Sequence, residues 1–382
     1  MRVAFLNWRD SGHPDGGGAE HYAEQICEGL AGLGYDVTLY CAAYPGAEHR
    51  ERVGGYRVSR QGNRLTVYGA SVRALREDQR VEGDFDVVVD VQNGLPFFAP
   101  LGVEAPVVNL THHVHEEQWP VVFGPIVARL GWWIESVLAP KVYRGRQYVA
   151  VSDTTRDELS ELGVNREHIA VIHNGTDTPK ALDVPKAETP TIVVLGRLVP
   201  HKRVEHAIDV VARLRDQFPG LRLRIIGDGW WRDEISAYAT RMGQEDIVDV
   251  LGFVSDEAKH AELASAWVAL APSIKEGWGL CVVEAASHFV PTVAYHGTGG
   301  LEDSIQDGRT GRLVGSLDEM TSVVADLLTS ADERARLGRA AREYSRQFEW
   351  EGTVAAWDRL LRHVATENRP TAQGDEATFD QQ

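Results

Sequence analysis

Two glutamates eight positions apart, Glu276 and Glu284, enclose the run Gly277-Trp278-Gly279-Leu280. Glu276 falls in a loop after the apolar run 267–271. Glu284 falls about two turns inside the helix that the loop opens, with its side chain leaning back toward the helix start. Glycines and the unpaired amides of a first turn suit phosphate. Two carboxylates placed this way could take hydroxyls on either side of it, a hexose at one and a ribose at the other. The plainer reading is a helix start with a structural glutamate. A second cluster, Gly196-Arg197-Leu198-Val199-Pro200-His201-Lys202-Arg203, follows another apolar run. If its proline turn folds back, Arg197 offers a planar fork and Lys202 a point charge to one diphosphate. The alternative is a solvated basic turn.

Two further stretches have chemistry-bearing residues. Gly16-Gly17-Gly18-Ala19-Glu20 sits between a strand pattern and a helix pattern, where glycine lets backbone amides approach a phosphate. It lacks the G-x-G-x-x-G dinucleotide spacing. His112, His113 and His115 stand within four residues, directly after the run 107–110. The H-E-x-x-H form is missing, so a histidine at a strand end facing a cleft is a better functional reading than a metal site. A histidine-rich surface turn is the alternative.

These loops need elements to aim them. Runs at 3–6, 37–42, 87–91, 107–110 and 148–151 are nearly continuous in apolar residues, as in strands buried on both faces of a parallel sheet. Ala19, Tyr22, Ala23, Ile26 and Leu30 recur at helical spacing, and Ser152 is placed to cap a helix over 153–162. Residues 178–190 contain three prolines and little apolar pattern, which predicts a linker. Strand patterns resume at 191–196, 221–227, 248–251, 267–271 and 292–295. Helices are expected at 204–218, 231–242 and 280–289. The chain therefore reads as α/β, with two Rossmann-like domains facing each other across a cleft, and every cluster above falls at the carboxyl end of a strand.

The 382 residues fit two domains. With 39 basic residues against 56 acidic ones the net charge is −17, which excludes a general nucleic-acid binder. Cys27, Cys41 and Cys281 are too few and too scattered for a disulfide framework or a zinc site, and reduced thiols in the cytoplasm fit best. The start is not a signal peptide, and no apolar run is long enough to span a membrane. Asp84-Phe85-Asp86 precedes its strand, so it does not match the D-x-D of metal-dependent sugar transferases.

Taken together the clusters resemble glycosyltransferase family 4, retaining enzymes of the GT-B fold. Glu276–Glu284 matches the family's E-x₇-E motif, Arg197 and Lys202 its G-R-L-x-x-x-K element, and Gly17-Gly18-Ala19-Glu20 its G-G-x-E loop. His112 aligns with the histidine after a strand of the acceptor domain. Asn174-Gly175-Thr176-Asp177 is similar to the N-G-V-D turn before the linker, with Thr176 at the third position. Gly227-Asp228-Gly229, Gly252-Phe253-Val254 and the glycines at 299–300 and 308–311 extend the likeness, which runs from residue 1 to about 364.

The resemblance implies transfer of a hexosyl group from a UDP- or GDP-sugar to a hydroxyl of a glycan, glycolipid or small molecule, with no metal or other cofactor. Catalytic roles fall to His112, Arg197, Lys202 and Glu276. Donor contacts fall to Gly17, Gly18, Val254, Gly277, Trp278, Gly279, Leu280 and Glu284. Which of His112, His113 and His115 faces the sugar stays open. It further implies an acceptor-binding domain over 1–178, joined by a returning helix over 351–364, and a donor-binding domain over 187–350. The segment 367–382 reads as a disordered tail. A nucleotide-sugar epimerase or phosphorylase, or a non-catalytic nucleotide-sugar-binding module, is the alternative function. The apolar segment 121–134, with Trp132 and Trp133 and with Arg129 and Lys141 nearby, fits either a helix lying in a membrane interface or one packed on the core. The first option would place a cytoplasmic enzyme weakly at the inner membrane face.

Overall fold

The computed structural model describes residues 1–14, 16–177 and 184–367. The first half forms an eight-stranded sheet from β1 (Arg2–Leu6), β2 (Asp36–Ala42), β3 (Arg50–Val53), β4 (Tyr56–Gln61), β5 (Val87–Gln92), β6 (Val107–Thr111), β7 (Gln147–Ala150) and β8 (Ile169–Val171). The spatial order is β3-β4-β2-β1-β5-β6-β7-β8, and only β3 runs antiparallel to its neighbour. The second sheet holds β9 (Thr191–Leu195), β10 (Arg222–Ile226), β11 (Val248–Gly252), β12 (Val268–Ala271), β13 (Thr292–Tyr295) and β14 (Gly311–Val314). Its order is β11-β10-β9-β12-β13-β14, all parallel. Helices cover both faces of each sheet, so central strands such as β5 and β6 are buried along their whole length.

Each order reverses once. In the first sheet the reversal lies between β1 and β5, and in the second between β9 and β12. At a reversal the connections leave to opposite faces and open a crevice beyond the strands' carboxyl ends. Arg197 follows β9 and Glu276 follows β12, so one crevice receives both. The loop 16–18 follows β1 and opens the second crevice.

The last helix, Trp350–Glu367, lies against the Gly18–Gly32 helix of the first half. Gly29 permits the approach, because a Cβ there would stand 2.3 Å from Val354 Cγ2. Trp357 is fully buried, and its Nε1 donates to Tyr22 Oη at 2.6 Å. The chain reaches this position through Thr176, whose N–H donates to Phe348 O at 2.7 Å.

The structure also contains elements beyond those read from sequence: the β3–β4 hairpin, β8, β14, and the helices Val67–Glu82, Leu317–Thr329 and Ala331–Ser345. The segment 121–134, expected as one helix either in a membrane interface or on the core, is instead broken into Trp119–Val122, Pro125–Trp133, a π-helical turn Ile134–Leu138 and Ala139–Val142. Pro125 interrupts the first pair, since its ring excludes the amide a continuous helix needs. Of the expected linker 178–190, residues 178–183 lie outside the described residues. At 186–187, Lys186 Nζ donates to Ala266 O at 2.9 Å and Ala187 N to Ser265 O at 2.9 Å, tying the stretch to the second half. The expected disordered tail, apart from Glu367, also lies outside the described residues.

Candidate active site

The second half presents charge. The loop after β9 turns through the short helix Pro200–Lys202, and Ile274 N donates to His201 O at 2.8 Å, pinning it to the loop after β12. Lys202 Nζ consequently meets Glu276 Oε1 in a close ion pair, and Ser273 Oγ donates to the same oxygen at 2.6 Å. Arg197, Lys202, Ser273, Glu276 and Cys281 line one recess. Burial pushes the Cys281 thiol up to about 12, so it is not a thiolate at neutral pH. Glu284 lies on the Leu280–Ser287 helix and does not join this cluster. Its Oε1 takes Lys259 Nζ at 2.8 Å, and Lys259 also reaches Asp256 at 3.0 Å.

The donor residues expected around Glu276 divide. The amides of Leu280 and Val282 are already engaged, with Trp278 O at 3.1 Å and Gly279 O at 2.9 Å. The helix start therefore offers an anion fewer amides than its sequence suggests. The Trp278 side chain turns away from the recess into the junction of the halves, stacked on His173 at 4.5 Å and edge-on to Phe348 at 4.8 Å. Leu280 lies against Gly18, whose Cβ position is 3.1 Å from Leu280 Cδ1. Val254 packs half-buried beside Leu195 and Leu251, next to the turn at Gly252.

The first half presents rings. His112 follows β6 and is 5 % exposed, with its ring edge-on to Tyr22 at 5.3 Å. Its Nε2 is buried without a hydrogen-bond partner among the described residues. Burial, aided by His115, lowers its pKa to about 3, so the ring is neutral. The His113 and His115 rings pack with centroids 3.9 Å apart and planes tilted by 35°. His113 Nε2 meets Gln118 Oε1 at 2.9 Å, and His115 Nδ1 meets Glu135 Oε1 at 2.9 Å. His113 and His115 are thus held by separate hydrogen-bond partners, and among the described residues no cluster of His, Cys, Asp and Glu is arranged to hold a metal. In the glycine loop, Glu20 Oε2 accepts from Gly17 N at 2.8 Å and Glu20 Oε1 pairs with Arg9 at 3.3 Å, so Glu20 fixes its own helix start.

The halves touch where the chemistry-bearing loops end. Gly277 lies so close to His112 that a Cβ would stand 1.9 Å from the His112 carbonyl oxygen. No other residue type fits there. A Cβ on Gly17 would lie 3.8 Å from Arg197 Nη1. Lys275, next to Glu276, forms a close ion pair with Glu158 and lies 3.7 Å from Glu117, both in the first half. Burial opposes its charge, and these two carboxylates outweigh burial and raise its pKa. Asp303 Oδ2 accepts from Thr154 N at 2.9 Å, adding a second-half carboxylate at the start of a first-half helix. Lys275, Asp303, Lys259 and Glu135 were not singled out from sequence. Only Lys275 carried a signal, its place beside Glu276.

Comparisons with known proteins bear on the family and the fold. The family model "Glycosyltransferase Family 4" matches residues 16–180, and "Glycosyl transferases group 1" matches 180–344. The chain is 30% identical to the MMP α-(1→4)-mannosyltransferase of Mycolicibacterium hassiacum, over 96% of this chain and 100% of the relative. It is 27% identical to the GDP-mannose-dependent α-(1-6)-phosphatidylinositol monomannoside mannosyltransferase of Mycobacterium tuberculosis, over 91% and 95%. Its fold matches sucrose-phosphate synthase from Thermosynechococcus elongatus with a TM-score of 0.82, over 96% of this chain and 100% of that one at 17% identity. The chain belongs to the family 4 glycosyltransferases of the GT-B fold, and it is a hexosyltransferase that uses a nucleotide sugar.

Proposed function

We propose that this enzyme moves a mannosyl group from GDP-mannose to a hydroxyl of a mannose-bearing acceptor, with retention at the anomeric carbon and without a metal ion. The observation that carries the reading is the convergence of Arg197, Lys202 and Glu276 on one recess at the reversal point of the second sheet. In a chain of net charge −17, two cations gathered there suit a diphosphate. Mannose is taken from the names of both mannosyltransferase relatives, and GDP from the name of the Mycobacterium tuberculosis relative alone.

In this reading the second half binds the donor and the first half the acceptor. Arg197 and Lys202 take up the charge that develops on the leaving diphosphate, the main electrostatic task of the step. Lys202 then exchanges Glu276 for phosphate oxygens, which leaves Glu276 to the sugar hydroxyls. Glu284 takes the ribose and the backbone near Val254 the base. The backbone at Gly277–Gly279, with Gly17, Gly18 and Leu280, closes over the phosphates. His112, neutral and with an Nε2 that has no partner among the described residues, serves a sugar hydroxyl. The acceptor oxygen attacks from the face that the diphosphate leaves. A leaving phosphate oxygen takes the acceptor's proton, so the C–O bond to phosphate breaks as the new glycosidic bond forms.

No helix among the described residues is long and apolar enough to cross a membrane. The Pro125–Trp133 helix nevertheless exposes Ile126, Val127, Leu130 and Trp133. We place this face against a lipid surface that presents the acceptor, as an expectation for peripheral association at the inner face of the membrane.

A thermal-shift panel of UDP, GDP, ADP, dTDP and their sugars tests the donor. GDP and GDP-mannose should raise the melting temperature by mass action, and GDP-mannose should then label 4-nitrophenyl α-mannoside. A shift confined to UDP compounds refutes the guanine assignment, and silence across the whole panel refutes the donor site.

A further inference from the structure

Behind the histidine cluster lies a carboxylate that the proposed donor chemistry does not use. Glu135 is 1 % exposed in the first half, far from any bulk counter-ion. It sits in the π-helical turn Ile134–Leu138, which follows directly on the Pro125–Trp133 helix. A π turn changes which side chains face inward, and such turns recur at functional sites. Here the inward residue is a glutamate in an otherwise apolar stretch. Burying a carboxylate is costly unless donors surround it. Glu135 has three: His115 Nδ1 at 2.9 Å and His115 N at 3.2 Å on Oε1, and Trp119 Nε1 at 2.7 Å on Oε2.

The carboxylate fixes the state of His115. Because Glu135 only accepts, Nδ1 must carry the proton, and Nε2 on the far side of the ring is left as an acceptor. The ring also packs against His113, with centroids 3.9 Å apart and planes tilted by 35°, and is partly open to solvent, with a side-chain exposure of 15%. The loop that carries it reaches the junction of the halves, where a Cβ on Gly277 would stand 3.2 Å from His113 Cβ. A Cβ on Gly94 would lie 4.0 Å from His115 Cγ, and the His115 ring is near enough to the second-half His201 to act on it alongside Lys202, Glu276 and Arg197. An oriented lone pair thus belongs to the first-half loop that meets the second half at Gly277. A carboxylate–imidazole pair with this proton order is suited to receive an O–H.

We propose that His115, held by Glu135, is an acceptor-positioning residue: its Nε2 accepts a hydrogen bond from a hydroxyl of the acceptor sugar next to the one that attacks. The attacking hydroxyl keeps its own proton for the leaving phosphate, so His115 orients the ring without taking part in bond exchange. Glu135 acts through His115 and sets its tautomer. The ligand class is a neutral sugar with adjacent hydroxyls. This inference rests on the glycosyl-transfer reading above.

The test separates transfer from donor turnover. His115→Ala, His115→Gln and Glu135→Gln are compared with the unaltered enzyme in three measurements: transfer from GDP-mannose to 4-nitrophenyl α-mannoside, hydrolysis of GDP-mannose with water as acceptor, and the GDP-induced rise in melting temperature. His115→Ala should raise the acceptor KM and cut the transfer-to-hydrolysis ratio at least tenfold, with hydrolysis and the GDP shift within about twofold of normal. His115→Gln keeps an acceptor oxygen and should recover part of the ratio. Glu135→Gln, if it folds, should resemble His115→Ala. An unchanged ratio in both His115 variants overturns the proposal, as does a parallel fall of transfer and hydrolysis. An unaltered enzyme that neither binds GDP nor turns over GDP-mannose overturns the donor reading instead.

Discussion

The two walls of the cleft are built from the same strand-and-loop plan, and they hold opposite chemistry. The second-half wall carries ions: Lys202 against Glu276, Lys259 against Glu284, with Arg197 alongside. The first-half wall carries rings, and burial keeps His112 and His113 neutral by lowering their pKa values. A charged wall stabilises charge that moves to a diphosphate, whereas a neutral, oriented wall selects a hydroxyl without competing for that charge. The division also suggests why the walls are joined by close packing at Gly277 and by the few polar contacts around it. Charge stabilisation is strongest when water is excluded.

The walls also differ in how they are supported, and this gives the largest expected effect. The first-half core depends on Trp357 from the chain's far end, packed at 6.0 Å on Phe5 and bonded to Tyr22. Trp357→Ala should remove about 3–5 kcal/mol of stability, through lost burial and a cavity. Denaturant unfolding followed by ring fluorescence would show the first half opening at lower denaturant. An unchanged midpoint would mean that the helix is only an accessory. On the second-half wall the matching experiment is Lys202→Ala. Loss of one contact to the leaving group costs roughly 3 kcal/mol, about a hundredfold in turnover, with the fold retained. Near-normal turnover with the true donor would remove Lys202 from the charged wall.

Acid should separate the walls next. The folded-state pKa of His112 is about 3 against an ordinary 6.5. Between these values the unfolded chain binds a proton that the folded chain refuses. Stability from this source is complete above about 6.5 and is lost as pH falls toward 3. His201 and His288, also lowered by burial, to about 4, add to the same slope. Asp90 opposes it: burial raises its carboxyl to about 6, so its contribution is largest in acid and is lost as pH rises through 6. His112→Asn should flatten the melting-temperature profile between pH 6 and pH 4, and Asp90→Asn should steepen it. Parallel profiles for all three proteins would contradict the neutral-ring account.

A smaller effect belongs to the contact between the walls. Lys275→Gln and Glu158→Gln should each slow transfer about fivefold, near 1 kcal/mol for a partly buried pair. The double variant should be no worse than either single one, because one interaction is lost in all three. Additive losses would show that the two side chains act separately.

Legibility in the sequence followed the same division. Strands β1, β5, β6 and β9 were visible because both faces are buried and the apolar run is unbroken. The edge strand β3, Arg50-Glu51-Arg52-Val53, has no such run, since it pairs on one side only and three of its residues are charged. Arg197, Lys202 and Glu276 were visible because glycine-bearing loops between strand and helix mark a ligand position. Glu135 carries no such mark in the sequence, where it simply follows the apolar segment 121–134. Its purpose depends on His115, twenty positions back and folded against it, and on a π turn that no periodicity announces. Asp303 and Lys275 act on residues 149 and 117 positions away, a distance no local pattern spans.

The smallest expected effect on turnover, and the sharpest on location, concerns the outer side of the first half. Ile126, Val127 and Leu130 are exposed, and Trp133 is half exposed, on one short helix that also carries Arg129. Leucine, isoleucine and tryptophan beside a basic group suit the boundary between acyl chains and anionic headgroups. The helix has only nine residues and the chain as a whole is acidic, so binding should be weak and salt-sensitive. The protein should sediment with vesicles containing an anionic phospholipid at low salt and be released at high salt. The paired change Ile126→Ser and Leu130→Ser should abolish sedimentation and leave transfer to 4-nitrophenyl α-mannoside unchanged, because neither side chain lines the donor recess. Undiminished sedimentation of that variant would place the lipid-facing surface elsewhere. No sedimentation of the unaltered protein even at low salt would point the first-half wall toward a soluble glycan.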